Sequence, residues 1–176
     1  MIIDPQVGKL LLSVVLGAVI GFERFMDGKA AGLRTHTLVC LGSAAFVVAS
    51  ENVRQRLGVP DLDPMRVAAG VVTGIGFLGA GSIIRSGGSV HGLTTAATIW
   101  VVSAIGVAVG VGSTELALWL TGLAFVVLQG FRWIEVWFGR KTPRTELERK
   151  MAEIPGPRRR ATDKPGAGAE GGSEDV

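Results

Sequence analysis

Glu23 and Arg24 stand side by side directly after an apolar stretch, and Arg34-Thr35-His36 comes directly before the next one. Arg85 follows a third such stretch, and Thr94-Thr95 opens a fourth. Residues of these types can serve in two ways. They can pair with one another as a polar belt that pins helix ends together, or they can form a docking or ligand site. Ionisable groups at the edge of hydrocarbon are costly unless paired, so Glu23 is expected to meet Arg34, Arg24 or Arg85. His36 is one of two histidines and lies beside Arg34, so a hydrogen-bonded structural role fits it better than metal ligation.

Other chemistries find less support. Asp61-Leu62-Asp63 with Glu51 could hold a hard cation, but carboxylates in a polar loop are usually just solvated. No metal site and no cofactor is therefore expected. Cys40 is the only cysteine, which excludes an internal disulfide, and no CxxC or Cys/His zinc spacing exists. Its apolar setting makes it a small buried hydrophobe. Gly74-Ile75-Gly76-Phe77-Leu78-Gly79 matches GxGxxG, a motif that binds dinucleotides only between a strand and a helix, with an acid some 20 positions later. Here it sits in an uncharged run, and no acid lies between Asp63 and Glu115. No Ser-His-Asp, Cys-His or paired-carboxylate arrangement appears, so the chain is not expected to be an enzyme.

The elements that position these residues follow from hydropathy. Charges are confined to short stretches and to the last 45 of the 176 residues, and the mean hydropathy is +0.43 even with that polar tail included. The expectation is an all-α, polytopic membrane protein of about five transmembrane helices, with 1–138 as the membrane domain. The first span, 5–22, starts at Asp4-Pro5, an N-cap acceptor followed by proline at N1. Its length of about 27 Å matches the hydrocarbon core. A run at 37–50 is short for a span, whereas 67–84 and 93–111 carry no charge over 18 and 19 residues. The fifth, 116–138, has Trp119 near one end and Trp133 and Trp137 near the other, as interfacial belts do. Glu23 and Arg24 flank the first run without a small-residue cleavage pattern, so it reads as a retained helix rather than a signal peptide.

Glycine makes up 26 residues, well above the usual ~7%, and half of them lie inside the apolar runs. Gly17/Gly21, Gly70/Gly74 and Gly106/Gly110 are GxxxG pairs, so with Gly76, Gly79 and Gly81 they are read as helix-packing positions. The glycines at 70, 74, 76, 79 and 81 also leave open a broken third span exposing carbonyls, as in transporters.

Five spans put Lys9, Arg54, Arg56 and Arg66 on one side. The other side holds Arg24, Lys29, Arg34, Arg85, Arg132, Arg140, Lys141, Arg144, Arg149 and Lys150. The positive-inside rule then places the N-terminus outside, the C-terminus in the cytoplasm, and all the clustered polar residues at the cytoplasmic face. The net charge of +3 and pI of about 9.5 are accounted for by topology, so no nucleic-acid partner is expected. Past the last span, Thr145-Glu146-Leu147-Glu148 is a capping box, with Leu147, Met151 and Ile154 on one face. A short amphipathic helix is expected over 139–154, followed by a disordered tail at 155–176.

Four segments carry a family resemblance. Gly17-Ala-Val-Ile-Gly21-Phe-Glu23-Arg24, Ala31-Gly32-Leu33-Arg34-Thr35-His36-Thr37-Leu38-Val39, Gly74-Ile-Gly76-Phe-Leu-Gly79-Ala-Gly81 and Gly92-Leu93-Thr94-Thr95-Ala96-Ala97-Thr98-Ile99-Trp100 stand in this order. Over roughly residues 8–130 the chain resembles the MgtC/SapB family of bacterial inner-membrane proteins. The resemblance implies a role in growth under magnesium limitation and, in intracellular pathogens, survival within host cells. It also implies action by modulating other membrane proteins, such as the F-type ATP synthase. Longer members carry an ACT-like soluble domain after the last span, and this chain looks like the short, membrane-only form, which weakens the virulence role.

The functional expectation is a regulatory membrane protein whose polar face and Gly-rich helices contact a partner, with homo-oligomerisation left open. The alternative is a magnesium or other ion transporter. That would need polar or acidic groups near mid-membrane, where spans two to four offer Ser43, Thr73, Thr98 and Ser103.

Overall fold

The computed structural model describes residues 4–58, 63–86 and 88–138. Five helices and one small hairpin make up the described chain: α1 (Pro5–Met26), α2 (Leu33–Leu57), α3 (Pro64–Gly81), β1 (Ile84–Ser86), β2 (Ser89–His91), α4 (Leu93–Gly110) and α5 (Thr114–Trp137). Four helices, α1, α2, α4 and α5, are long and apolar enough to cross a membrane, and α3 has a shorter apolar stretch, Met65–Gly81. Residues 1–133 form one compact unit, and a second begins at Ile134. The expected amphipathic helix at 139–154 and disordered tail at 155–176 lie outside the described residues.

Local chemistry starts and stops these helices. The Asp4 carboxylate accepts from the Gln6 backbone N–H at 2.9 Å with Pro5 beginning α1. Asp63 does the same for Met65 at 2.8 Å ahead of Pro64 in α3. Both are aspartate N-caps followed by proline, whose missing N–H costs nothing in a first turn. Gly58 closes α2 in the left-handed conformation, φ +61.

Three boundaries differ from the hydropathy reading, for one reason: an apolar run marks what lies in hydrocarbon, not where hydrogen bonding ends. α1 continues to Met26, so Glu23 and Arg24 are inside the helix rather than beyond it. α2 has 25 residues, not the 14 of its apolar run. Its first turn contains Arg34, Thr35 and His36, and its far end is supported by Glu51, which accepts from Arg54 at 2.7 and 2.9 Å and from Gln55 at 2.7 Å. α3 stops at Gly81, and Ile84 leaves it for the hairpin. Ser82 terminates it, its hydroxyl donating to the Gly79 carbonyl at 2.7 Å. In the hairpin Ile84 pairs with His91, Arg85 with Val90 and Ser86 with Ser89. Gly92 then starts α4 at φ +89, where a Cβ would overlap the Ser82 carbonyl.

α2 is the central helix. A Cβ on Gly17 would sit 2.7 Å from Cys40 Cβ, and one on Gly21 would sit 2.8 Å from Leu33 Cα, so α1 approaches α2 backbone to backbone. On the other flank, a Cβ on Gly106 would overlap the Cys40 carbonyl oxygen, and one on Gly110 would lie 2.7 Å from Val47 Cβ. These contacts run α1 antiparallel and α4 parallel to α2. Cys40, fully buried, joins Leu16, Ile20, Val102, Ile105, Ala108, Val109 and Ala117 in the core. Without a hydrophobic drive between helices in lipid, close packing of this kind is what holds them.

α3 departs from the packing expectation. Gly70, Gly74, Gly76 and Gly81 have open space where a Cβ would point, and Gly79 makes only an ordinary contact, 3.8 Å from Ala96 Cβ. Spacing alone marks glycines that could pack and says nothing of whether a neighbour is present. α3 is held instead through Ile75, which clusters with Ala31 and Ile99. It is also one unbroken helix, without the interruption that would expose carbonyls.

Candidate functional site

One end of the bundle gathers the C-terminus of α1, the N-termini of α2 and α4, and the β-hairpin; it is called the hairpin end below. The last turns of α1 place Glu23 and Arg24 together, each 3% exposed. Neighbours in sequence do not share a helix face, yet the Arg24 guanidinium folds back on the Glu23 carboxylate. Its terminal nitrogen donates at 2.6 Å to Oε1, and Nε donates to Oε2. Arg24 also reaches the Asp27 carboxylate at 3.4 Å, and Asp27 in turn accepts from Arg132 of α5. Two carboxylates and two guanidiniums thus alternate, and the network is formally neutral. Arg24 in the final turn also complements the negative end of the helix dipole.

His36 is fully buried between α2 and α4. Its Nδ1 donates to the Gly32 carbonyl at 2.9 Å, and Nε2 lies 3.2 Å from the Thr98 hydroxyl. Thr98 is also 2.9 Å from the Thr95 carbonyl. Deeper in the bundle, the hydroxyls of Ser43 and Ser103 meet at 3.0 Å across the same pair of helices. At the opposite end, Gln6 and Asn52 exchange side-chain amide hydrogen bonds, and Lys9 Nζ donates to the Gly110 carbonyl at 3.0 Å.

The residues singled out from sequence divide into two groups. Glu23, Arg24, His36 and Thr95 are buried between helices, whereas Arg34, Thr35, Arg85 and Thr94 are exposed. Glu23 meets Arg24, and neither Arg34 nor Arg85 takes part in that network. Asp27 and Arg132, which complete it, escaped sequence reasoning. Asp27 carried a usable signal, the i+3 spacing from Arg24. Arg132 lies 105 residues away and could be placed only by counting spans to the same side. Of the carboxylates considered for a cation, Glu51 is bonded to Arg54, Asp63 caps α3, and Asp61 lies outside the described residues. Among the described residues, no three His, Cys, Asp or Glu side chains converge.

The chemistry of the hairpin end is therefore that of a rigid ionic anchor, with exposed cationic and hydroxyl side chains beside it. Comparison with known proteins gives that arrangement a context. The chain is 44% identical over 131 residues to the putative magnesium transporter YhiD of Escherichia coli K12, covering 70% of this chain and 59% of that protein. It is 47% identical over 118 residues to the protein MgtC of Salmonella typhimurium LT2, covering 67% and 48% of the two chains. With the protein MgtC of Brucella abortus it shares 53% over 98 residues, covering 56% and 39%. The chain thus spans about half the length of these curated relatives. No solved structure matches it. The MgtC family pattern runs through residues 10–137, from α1 to the end of α5, and the chain belongs to the MgtC family.

Proposed function

We propose that the chain is a regulatory, non-enzymatic membrane protein that modulates other membrane proteins during adaptation to low magnesium. Its hairpin end is the contact face, turned to the cytoplasm, where the excess of Lys and Arg favours it. One observation carries the reading: two pairs of buried polar side chains bridge α2 and α4, while buried Ser13 and Thr121 bond carbonyls of their own helices and only the buried Ser50 hydroxyl has no partner among the described residues. Ser43 to Ser103 and His36 to Thr98 hold α2 against α4. Groups that a cation path would present to water are here consumed in joining helices. Arg34, Thr35, Arg85 and Thr94, exposed beside the ionic anchor, are what a partner would meet. The family resemblance makes an F-type ATP synthase the first partner to test.

The name of one relative, putative magnesium transporter YhiD, supports a second reading, transport of magnesium or another ion. Two measurements separate them. Purified protein in liposomes loaded with a magnesium indicator should give no flux above that of empty vesicles. A photo-crosslinking amino acid at position 85 or 94 should trap another membrane protein in low-magnesium cells, and one at lipid-facing position 126 should not. Robust cation flux would sink the regulatory reading.

A further inference from the structure

Between α2 and α3 lies an open apolar groove of about 660 Å³. Its walls are Leu38 and Phe46 of α2 and Leu78 of α3, and its floor is made by Gly42, Gly70 and Gly74, none of which has an atom where a Cβ would point. Ser43 is the hydroxyl-bearing side chain in the lining, and it is engaged by Ser103. The volume falls within the roughly 300–1,000 Å³ of small-molecule sites. The lining from Leu38 to Phe46 extends about 12 Å along α2, and that from Val67 to Leu78 about 16 Å along α3. That is close to half of the ~30 Å hydrocarbon core, or one leaflet. A transmembrane segment docked there would need the full thickness, whereas an acyl chain needs half.

Leu38, Gly42 and Phe46 recur every four residues on one face of α2, and one turn earlier on that stripe is Arg34. Arg34 is exposed and makes no ion pair or side-chain hydrogen bond among the described residues. Among the described residues, the acids at this end are already bonded: Glu23 to Arg24, and Asp27 to Arg24 and Arg132. Lys29 and Arg85, both exposed at the same end, leave it positive. An apolar trough one leaflet deep, with a guanidinium one turn beyond it that has no acid partner among the described residues, has the polarity of an anionic amphiphile. We propose that the α2–α3 groove holds one anionic phospholipid, its acyl chain against Gly42, Gly70 and Gly74 and its phosphate on Arg34. This inference needs the chain to be membrane-embedded but does not rest on the regulatory reading.

The test is native mass spectrometry of the full chain released from nanodiscs containing phosphatidylglycerol and phosphatidylcholine in equal amounts. One phosphatidylglycerol should be retained per chain in preference to phosphatidylcholine. Arg34→Gln should lower that preference by about tenfold, the scale of a lost charge-assisted contact, and Arg34→Lys should keep most of it. Gly74→Leu should fill the trough and lower retention of both lipids. Arg85→Gln, off the stripe, should change little. Elution as a single folded species qualifies each variant, and the exposed Arg34 variants decide the matter if Gly74→Leu does not fold. Equal retention of the two lipids, an unaltered preference in Arg34→Gln, or a second copy or other helix found crosslinked along Gly70 and Gly74 in place of lipid would overturn the proposal.

Discussion

Lys9 on α1 donates its ammonium to the backbone carbonyl of Gly110, 101 residues later, at the C-terminal end of α4. A lysine one turn into a first span looks from sequence like a snorkelling residue. Here its stem crosses to another helix, and its charge meets the last carbonyl of α4, at the negative end of that helix dipole, while the Val107, Ala108 and Val109 carbonyls accept from Val111, Ser113 and Gly112. The contact clasps α1 to α4 at the end of the bundle remote from the hairpin.

Lys9→Met keeps the aliphatic stem and removes the clasp. It should lower stability by about 1 kcal/mol, read as a reduced Tm of the protein in mild detergent. An unchanged Tm would show that water serves the Gly110 carbonyl equally well.

Glu23→Ala leaves Arg24 buried with only the longer contact to Asp27. Removing one member of a desolvated pair costs about 3–5 kcal/mol, so little folded protein should accumulate in the membrane. The double change Glu23→Leu with Arg24→Met should recover much of the loss, because replacing both charges also removes their desolvation cost. Fluorescence-detected gel filtration of detergent extracts would measure both. A Glu23→Ala protein that accumulates normally but no longer supports growth in low magnesium would assign the pair to partner contact rather than folding.

Arg132→Gln tests the outer link of the same network. The Arg132 side chain is 48% exposed, so its bond to Asp27 is screened by solvent. The expected loss is below about 1 kcal/mol and should shrink in high salt. A loss as large as that of Glu23→Ala would mean that α5 is held chiefly by this residue.

Gly106→Ala and Gly74→Ala are the same change on two helices with opposite expected signs. The first pushes a methyl into the Cys40 carbonyl and should cost about 1–3 kcal/mol or more as α2 and α4 separate. The second meets open space and should be neutral or stabilising by up to about 1 kcal/mol, from helix propensity. Thermal unfolding of the two variants side by side would check this, and equal losses would show that α3 has a packing partner at Gly74.

Those two glycines also show how far sequence could lead. The apolar runs give the number of helices and their alternation, because hydrocarbon dictates length and composition. They do not give the ends: Arg34 to His36 read as a flank to the second run, although their backbone is already helical. Ile83 and Ile84 read as membrane because they are apolar, whereas the chain leaves α3 at Gly81 and turns into a hairpin. The i+3 spacing of Arg24 and Asp27 offered a pair that the sequence reading did not take up. Arg24 was one of three arginines expected to meet Glu23, but spacing did not single it out from Arg34 and Arg85, since i,i+1 residues diverge on a helix. Gly70 and Gly74 have the spacing of Gly106 and Gly110 but not their surroundings, which depend on tertiary neighbours.

The parallel seating of α2 against α4 has a consequence for biogenesis. Ser43 and the Nε2 of His36 find their partners at Ser103 and Thr98, on a helix the ribosome has yet to make when α2 enters the bilayer. At about 5–20 residues per second, several seconds pass before α4 follows. During that interval His36 and Ser43 depend on α1, the insertion machinery or stray water for cover. Slowing translation between α2 and α4 should therefore lengthen the window in which a quality-control protease can seize the unfinished chain.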